Sequence, residues 1–301
     1  MHRIALALAL ALALAAAVAA TAVGGAASAM AGSLGPSASP PAASYYLSLG
    51  DSLAQGVQPN AAGTSVETNQ GYPNQLYAAL RLGHPGLRLV KLGCPGETTG
   101  TVISGGICSY PQGSQLAAAV SFLRDHPGQV PLISIDIGAN DLNPCVVLTS
   151  LRALEACVEA TLPTVVANLT EIMTDLRAAG GGNVRIIGMT YYVPELAAWL
   201  TGPAGQEFAT ASEQLVVTFN GKLSNVYQQF GARIADVFSA FQSADFTDQV
   251  TLPNIGTVPR NVALICKWTW ECAPAPRGPN EHATAIGYGV IALTFLLADH
   301  R

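Results

Sequence analysis

Four short polar segments of this 301-residue chain carry side chains with which an acyl group could be transferred. In Gly50-Asp51-Ser52-Leu53-Ala54 a glycine permits a tight turn, and a serine there can turn its hydroxyl and its own N–H toward the same space. Gly93-Cys94-Pro95-Gly96-Glu97-Thr98-Thr99 places Gly96 where a backbone N–H can approach a ligand with no side chain in the way. Gly138-Ala139-Asn140-Asp141 offers an amide that can serve as a fixed donor to a developing oxyanion. Pro279-Asn280-Glu281-His282-Ala283 supplies an imidazole. A nucleophile, oxyanion donors (Ser52 and Gly96 N–H, Asn140 amide) and a base are the parts that acyl transfer from an ester needs. Each segment also has an ordinary role: a helix cap for Ser52, a loop for Gly96, an Asx turn for Asn140, a surface position for His282.

The elements around these segments decide whether they meet. Short β-rich runs at 45–49, 87–92, 131–137, 184–189 and 232–238 show too little alternation to be half-solvated and read as strands buried on both faces. Helical periods fall at 72–82, 114–125, 161–179 with Pro163 in the first turn, 206–230, and a closing helix at 283–298. Strand-then-helix order predicts an α/β fold, a five-stranded parallel sheet with helices on both faces. Ligands of such sheets bind outside the carboxyl ends of the strands, and the first three polar segments each follow a strand.

Charged residues are 11% and hydrophobic residues 50% of the chain, enough to build a large core and exclude bulk disorder. Fourteen basic against nineteen acidic residues give a net charge of −5, which provides no basic surface for nucleic acid. Residues 1–31 combine an early arginine, a long Ala/Leu run and a small-residue exit, the pattern of a signal peptide, and 32–43 read as a Pro/Ser linker before a domain at 44–301. The run is long enough to be weighed as a retained anchor, but no later stretch could cross a membrane, so the mature part is expected to be exported and free of a stable span. Six cysteines fit an oxidising compartment, and sequential pairing, Cys94–Cys108, Cys145–Cys157 and Cys266–Cys272, is the simplest of about 15 connectivities. No Cys-x-x-Cys occurs and the histidines are scattered, so no metal site is expected.

With these residues in view, the chain resembles the GDSL or SGNH hydrolases, whose blocks carry Ser, Gly, Asn and His in this order. The first block aligns on Tyr46-Leu47-Ser48-Leu49-Gly50-Asp51-Ser52, the others on Gly96, on Gly138-x-Asn140-Asp141, and on His282 followed by Ala283-Thr284-Ala285-Ile286-Gly287-Tyr288. The resemblance implies a flavodoxin-like three-layer α/β/α fold, no cofactor, and hydrolysis of a small-molecule or lipid ester through an acyl-enzyme on Ser52 with His282 as base. The cysteines and Trp268-Thr269-Trp270-Glu271-Cys272 look like the secreted bacterial esterases and lipases of that family. One position departs: the family's Asp-x-x-His is here Pro279-x-x-His282, so the carboxylate that holds the imidazole is missing. The main-chain carbonyl of Pro279 is the expected replacement, with Glu281 as rival. Two readings stand beside the enzyme: a carbohydrate- or lipid-binding protein that keeps the fold without the chemistry, and a structural protein held at the surface by its N-terminal run. Gly-Asp-Ser-Leu-Ala also nearly matches the nucleophile elbow of α/β-hydrolases, but that elbow follows several strands and Ser52 follows the first.

Overall fold

The computed structural model describes residues 43–146 and 150–300. The signal peptide expected at 1–31 and all but the last residue of the linker expected at 32–43 lie outside the described residues. Five parallel strands form the central sheet: β1 Ser44–Gly50, β2 Leu87–Lys91, β3 Leu132–Asp136, β4 Arg185–Met189 and β5 Arg233–Ala235, in the spatial order β2-β1-β3-β4-β5. Every neighbouring pair is parallel. The helices are α1 Ser52–Gln55, α2 Tyr72–Leu80, α3 Thr99–Ser104, α4 Gln115–Asp125, α5 Asn143–Val146, α6 Leu151–Gly180, α7 Pro203–Gln229, α8 Val237–Ala240, α9 Arg260–Trp268 and α10 Ala285–Asp299.

The inner strands are buried on both faces, with Leu132, Ile133 and Ile135 of β3 all shielded from solvent, whereas the edge strand β2 exposes Arg88 and leaves Leu89, Val90 and Lys91 half-buried, so burial on both faces does not extend to the sheet edge. α2 packs on α10, while α6 packs on both α4 and α7. That division is what right-handed crossovers require when the strand order reverses at β1. The reversal opens a crevice beyond the carboxyl ends of β1 and β3, the segments from which Ser52 and Asn140 follow.

Several elements differ from the sequence reading. The helix expected at 161–179 starts at Leu151, capped by the Ser150 hydroxyl, and Pro163 sits inside it. Its buried stripe of Leu154, Val158, Leu162, Val165 and Leu169 outweighs the bond that proline cannot donate. The run at 232–238 supplies only three strand residues, because Asp236 accepts the Ser239 N–H and starts α8. α9 and two short antiparallel hairpins, Gln58–Pro59 with Ser65–Val66 and Gln249–Leu252 with Gly256–Pro259, were not legible as elements. The cysteines are joined as Cys94–Cys108, Cys145–Cys157 and Cys266–Cys272. The first anchors the Gly96 loop, the second ties α5 to α6, and the third closes the turn after α9. No helix of the described residues is long and apolar enough to cross a membrane.

Candidate active site

β1 delivers Ser52 to the rim. Gly50 has φ 139°, and a Cβ there would lie 2.3 Å from the Asp136 carbonyl oxygen, so the turn between strand and helix requires glycine. Gln115 of α4 clamps it from the side: its Oε1 accepts the Gly50 N–H at 2.7 Å and its Nε2 donates to the Gly50 carbonyl at 3.0 Å. The cap of α1 is Asp51, whose Oδ1 accepts the Leu53 N–H at 2.9 Å and whose Oδ2 accepts the Tyr191 hydroxyl at 3.0 Å. Ser52 is therefore released from capping, and its N–H is one of the unpaired donors at a helix start.

Beneath the turn lies a buried acidic pair. Burial, then the charge of Asp51, pushes Asp136 far above the ordinary carboxylate range, and burial raises Asp51 as well. Asp136 also accepts the Tyr72 hydroxyl. Asp136 keeps its proton in preference, which leaves Asp51 the better acceptor for the cap.

Asn140 follows β3 on a 3-10 turn, Ala139–Leu142, that starts from Gly138. Its Nδ2 donates to the Glu97 carbonyl at 2.9 Å and its Oδ1 accepts from Asn143 Nδ2 at 2.9 Å. Both ends of the amide are thereby assigned, and one N–H remains for a ligand. Asp141 accepts Thr99 N–H at 2.8 Å and the Thr99 hydroxyl at 2.6 Å, tying the same turn to the start of α3. Gly96, at φ +84°, is exposed in the loop between these ties, and its N–H donates to no acceptor among the described residues. Gly96 itself is not among the residues lining the cavity described below, although the adjacent Glu97 holds Asn140. Burial pushes the Glu97 carboxyl up to about 7, against the lowering effect of the Gln115 amide at 2.9 Å.

His282 is buried on the segment between α9 and α10. Trp270 N–H donates to its carbonyl at 3.0 Å, and Thr269 bridges to Ala283. Its Nδ1 lies 2.8 Å from Asn280 Oδ1. The same oxygen accepts the His282 backbone N–H at 3.1 Å, which fixes the oxygen end of the amide toward the ring. Asn280 Nδ2 is in turn held by Ser65 Oγ at 3.1 Å. Nδ1 must then carry the proton and Nε2 the lone pair. This corrects the expectation for Pro279: among the described residues its carbonyl makes no hydrogen bond to the ring, and Asn280 occupies the place because its short side chain folds back over its own turn, as Asn does. Glu281 Oε1 stands at 3.7 Å, beyond a hydrogen bond, on a largely exposed side chain. Burial lowers the His282 pKa, and the Glu281 charge partly offsets this.

Ser52, Asn140 and His282 line one cavity of about 850 Å³. Pro279, Glu281, Glu271 and Glu195 also line it, as do apolar residues of α6 and α7. Burial and the Glu281 and Glu195 charges push Glu271 up to about 7. No group of three or more His, Cys, Asp or Glu among the described residues is arranged to hold a metal ion. Gln115 gave no signal in the sequence; Asn280 lay within the quoted segment but carried no carboxylate to draw attention to it.

The fold recurs in solved structures. A phospholipase A1 from Streptomyces albidoflavus NA297 and an extracellular lipase from Streptomyces rimosus each match at TM-score 0.55 and 19% identity, over 85% of this chain and 100% of theirs. A lipase from a goat rumen metagenome matches at TM-score 0.53 and 13% identity, over 85% of this chain and 97% of its own. No match to the sequence was found among curated proteins. The family model of the GDSL-like lipases and acylhydrolases matches residues 48–254, a span that holds Ser52, Gly96 and Asn140, and the chain belongs to that family of hydrolases.

Proposed function

We propose that the chain is a secreted serine esterase or lipase that cleaves carboxylic esters through an acyl-enzyme on Ser52. The observation that carries this reading is the meeting of Ser52, Asn140 and an acceptor-held His282 in one cavity. His282 Nε2 takes the Ser52 proton as Oγ attacks the ester carbonyl. The negative oxygen is received by the N–H groups of Ser52 and Gly96 and by the free N–H of Asn140. Collapse breaks the ester C–O bond, and the imidazolium returns its proton to the departing alkoxide. Water, deprotonated by the same nitrogen, then releases the acid and restores Ser52. Burial keeps His282 neutral, as a base must be, and no cofactor enters the cycle.

Export is supported by the N-terminal pattern and by six cysteines joined in three pairs. The test is Ser52→Ala, assayed on a short-chain chromogenic ester and labelled with a fluorophosphonate. Loss of both turnover and labelling in a folded variant is expected. A variant that still turns over at more than a trace of the parent rate removes Ser52 as nucleophile.

A further inference from the structure

Glu97 is a buried acid that the proposed cycle does not use. It is 0% exposed, and among the described residues no Lys, Arg or His pairs with it. Its groups are instead built into the frame of the site. Oε2 accepts Gln115 Nε2 at 2.9 Å, and the same Gln115 amide holds the Gly50 N–H at 2.7 Å and the Gly50 carbonyl at 3.0 Å. The Glu97 N–H closes the turn that carries Gly96 by donating to the Cys94 carbonyl at 3.2 Å. The Glu97 carbonyl receives Asn140 Nδ2 at 2.9 Å. One residue thus joins the strand end before Ser52, through Gln115, to Gly96, through the chain, and to Asn140, through its carbonyl. Cys94 N–H adds a second tie to the Gly50 carbonyl at 3.0 Å, and the bond to Cys108 anchors the same loop.

The carboxyl is half satisfied. Gln115 meets Oε2, while Oε1 has no hydrogen-bond partner. In the acid form that orphan is a neutral hydroxyl, whereas in the carboxylate it shares an uncompensated buried charge, the costlier state. The polar groups that face it are Gln115 at the start of α4, Tyr110 just before that helix, and Asp51 beside Ser52, and none is cationic. Burial, with the Asp51 charge adding to it against the Gln115 bond, puts the group at about 7. Because the charge of Asp51 acts on Glu97, a charge on Glu97 acts equally on the Ser52 turn. Ionisation leaves the Gln115 bond in place, since a carboxylate accepts at least as well as an acid. What it changes is the field at an oxygen that must itself become negative.

We propose that Glu97 is a positioning residue: as a neutral acid it spans the Ser52 turn and the oxyanion donors Gly96 and Asn140, and once charged it opposes the oxyanion that they receive. The inference rests on the ester-hydrolase reading and adds an alkaline limit to it. Even from about 15 Å, a unit charge at an effective dielectric of about 20 slows formation of a second negative charge about sixfold.

The experiment measures kcat and KM from about pH 5 to about pH 9 for the parent, Glu97→Gln and Glu97→Leu, on a soluble short-chain ester with the released acid quantified by chromatography. The Glu97 carboxyl is titrated by carbon-13 NMR, its signal being the one that Glu97→Gln lacks. The parent kcat is expected to fall at least about fivefold between about pH 6 and about pH 9, with little change in KM and with the midpoint of the NMR titration. Glu97→Gln keeps an acceptor for Gln115 and cannot ionise, so it stays within about threefold of the parent at about pH 6 and shows no alkaline fall. Glu97→Leu removes the acceptor, lowers kcat roughly five- to fiftyfold at every pH and also shows no alkaline fall, with its fold checked by circular dichroism. Alkaline profiles of the parent and Glu97→Gln that superimpose, or a Glu97→Leu that matches the parent within twofold at about pH 6, overturn the inference and leave ester hydrolysis standing. A parent that cleaves no ester at any pH removes the hydrolase reading, and this inference with it.

Discussion

Replacing Asn280 by Asp exchanges a neutral acceptor for a carboxylate at the atom that lies 2.8 Å from His282 Nδ1. The geometry survives the change, since the same oxygen still accepts the His282 backbone N–H and Ser65 can turn its hydroxyl to donate. A hydrogen bond to a charged partner contributes about 1.5–3 kcal/mol against about 1 for a neutral one. The imidazolium is therefore favoured by about 0.5–2 kcal/mol more in the variant, and one pKa unit corresponds to about 1.4 kcal/mol. In the parent, burial holds His282 below its ordinary 6.5, so the acidic limb of kcat/KM lies below pH 6.5. In Asn280→Asp that limb moves to higher pH by roughly 0.5–1.5 units, because protonation of the base begins sooner. Asn280→Ala removes the acceptor and leaves a buried Nδ1–H unpaired, a loss of about 1–3 kcal/mol that lowers kcat/KM by roughly 5- to 150-fold. The assay is the pH dependence of kcat/KM on a soluble short-chain ester, with the imidazole titrated by NMR. If the limbs of parent and Asn280→Asp coincide and Asn280→Ala stays within twofold of the parent, Asn280 does not hold the ring.

Other outcomes follow from the same geometry. In the proposed mechanism Asn140→Ala takes away one oxyanion donor and should lower kcat by about 10²–10³ with little change in KM, measured by steady-state kinetics against Asn140→Asp. Glu281→Gln should lower kcat/KM less than tenfold, as its carboxylate is largely exposed and 3.7 Å from the ring, and the acidic limb should shift slightly down as its charge is lost. Glu97, held at about 7 by burial against an ordinary 4.5, stabilises the fold fully only below the unfolded value, and that contribution is lost as pH rises toward 7; Glu97→Gln should flatten the fall of Tm over this range, read by thermal melts at steps of pH. Cys145→Ser with Cys157→Ser opens a 12-residue loop and should lower stability by about 2–3 kcal/mol in urea melts, with α6 intact by circular dichroism.

The sheet was legible because its inner strands are short apolar runs buried on both faces, and the equally apolar α10 is set apart from them by its length. What the sequence concealed has physical reasons. Pro163 is a starting signal by its type, but α6 begins ten residues before the expected 161, with a buried stripe that starts at Leu154, and a local signal loses to a long-range surface. The third block was legible as Gly-x-Asn, yet the bonds that set its amide come from Glu97 and Asn143, and only the folded chain brings the Glu97 carbonyl to it across 43 positions. Gln115 was silent for the same reason, since it reaches Gly50 across 65 positions and its type alone suggests an exposed helix.

In the proposed mechanism the loss of the motif's carboxylate need not cost the chemistry. A base on His282 needs one acceptor at Nδ1, aimed and immobile, and any oxygen fixed there satisfies the tautomer. Pro279 has no side chain to give, whereas Asn280 can turn back on itself because its short amide bonds the backbone two residues on. The cost is the charge: a neutral oxygen stabilises the imidazolium of the transition state less than a carboxylate. The return is a histidine that stays neutral at lower pH, beside a Glu281 carboxylate that favours its protonated form. Restoring the carboxylate would add a second acidic group beside the ring, so Asn280→Asp is expected to gain turnover above the shifted limb and to lose it below, with the two profiles crossing. A variant slower at every pH would show that the amide's shape, and not its neutrality, is what the site requires.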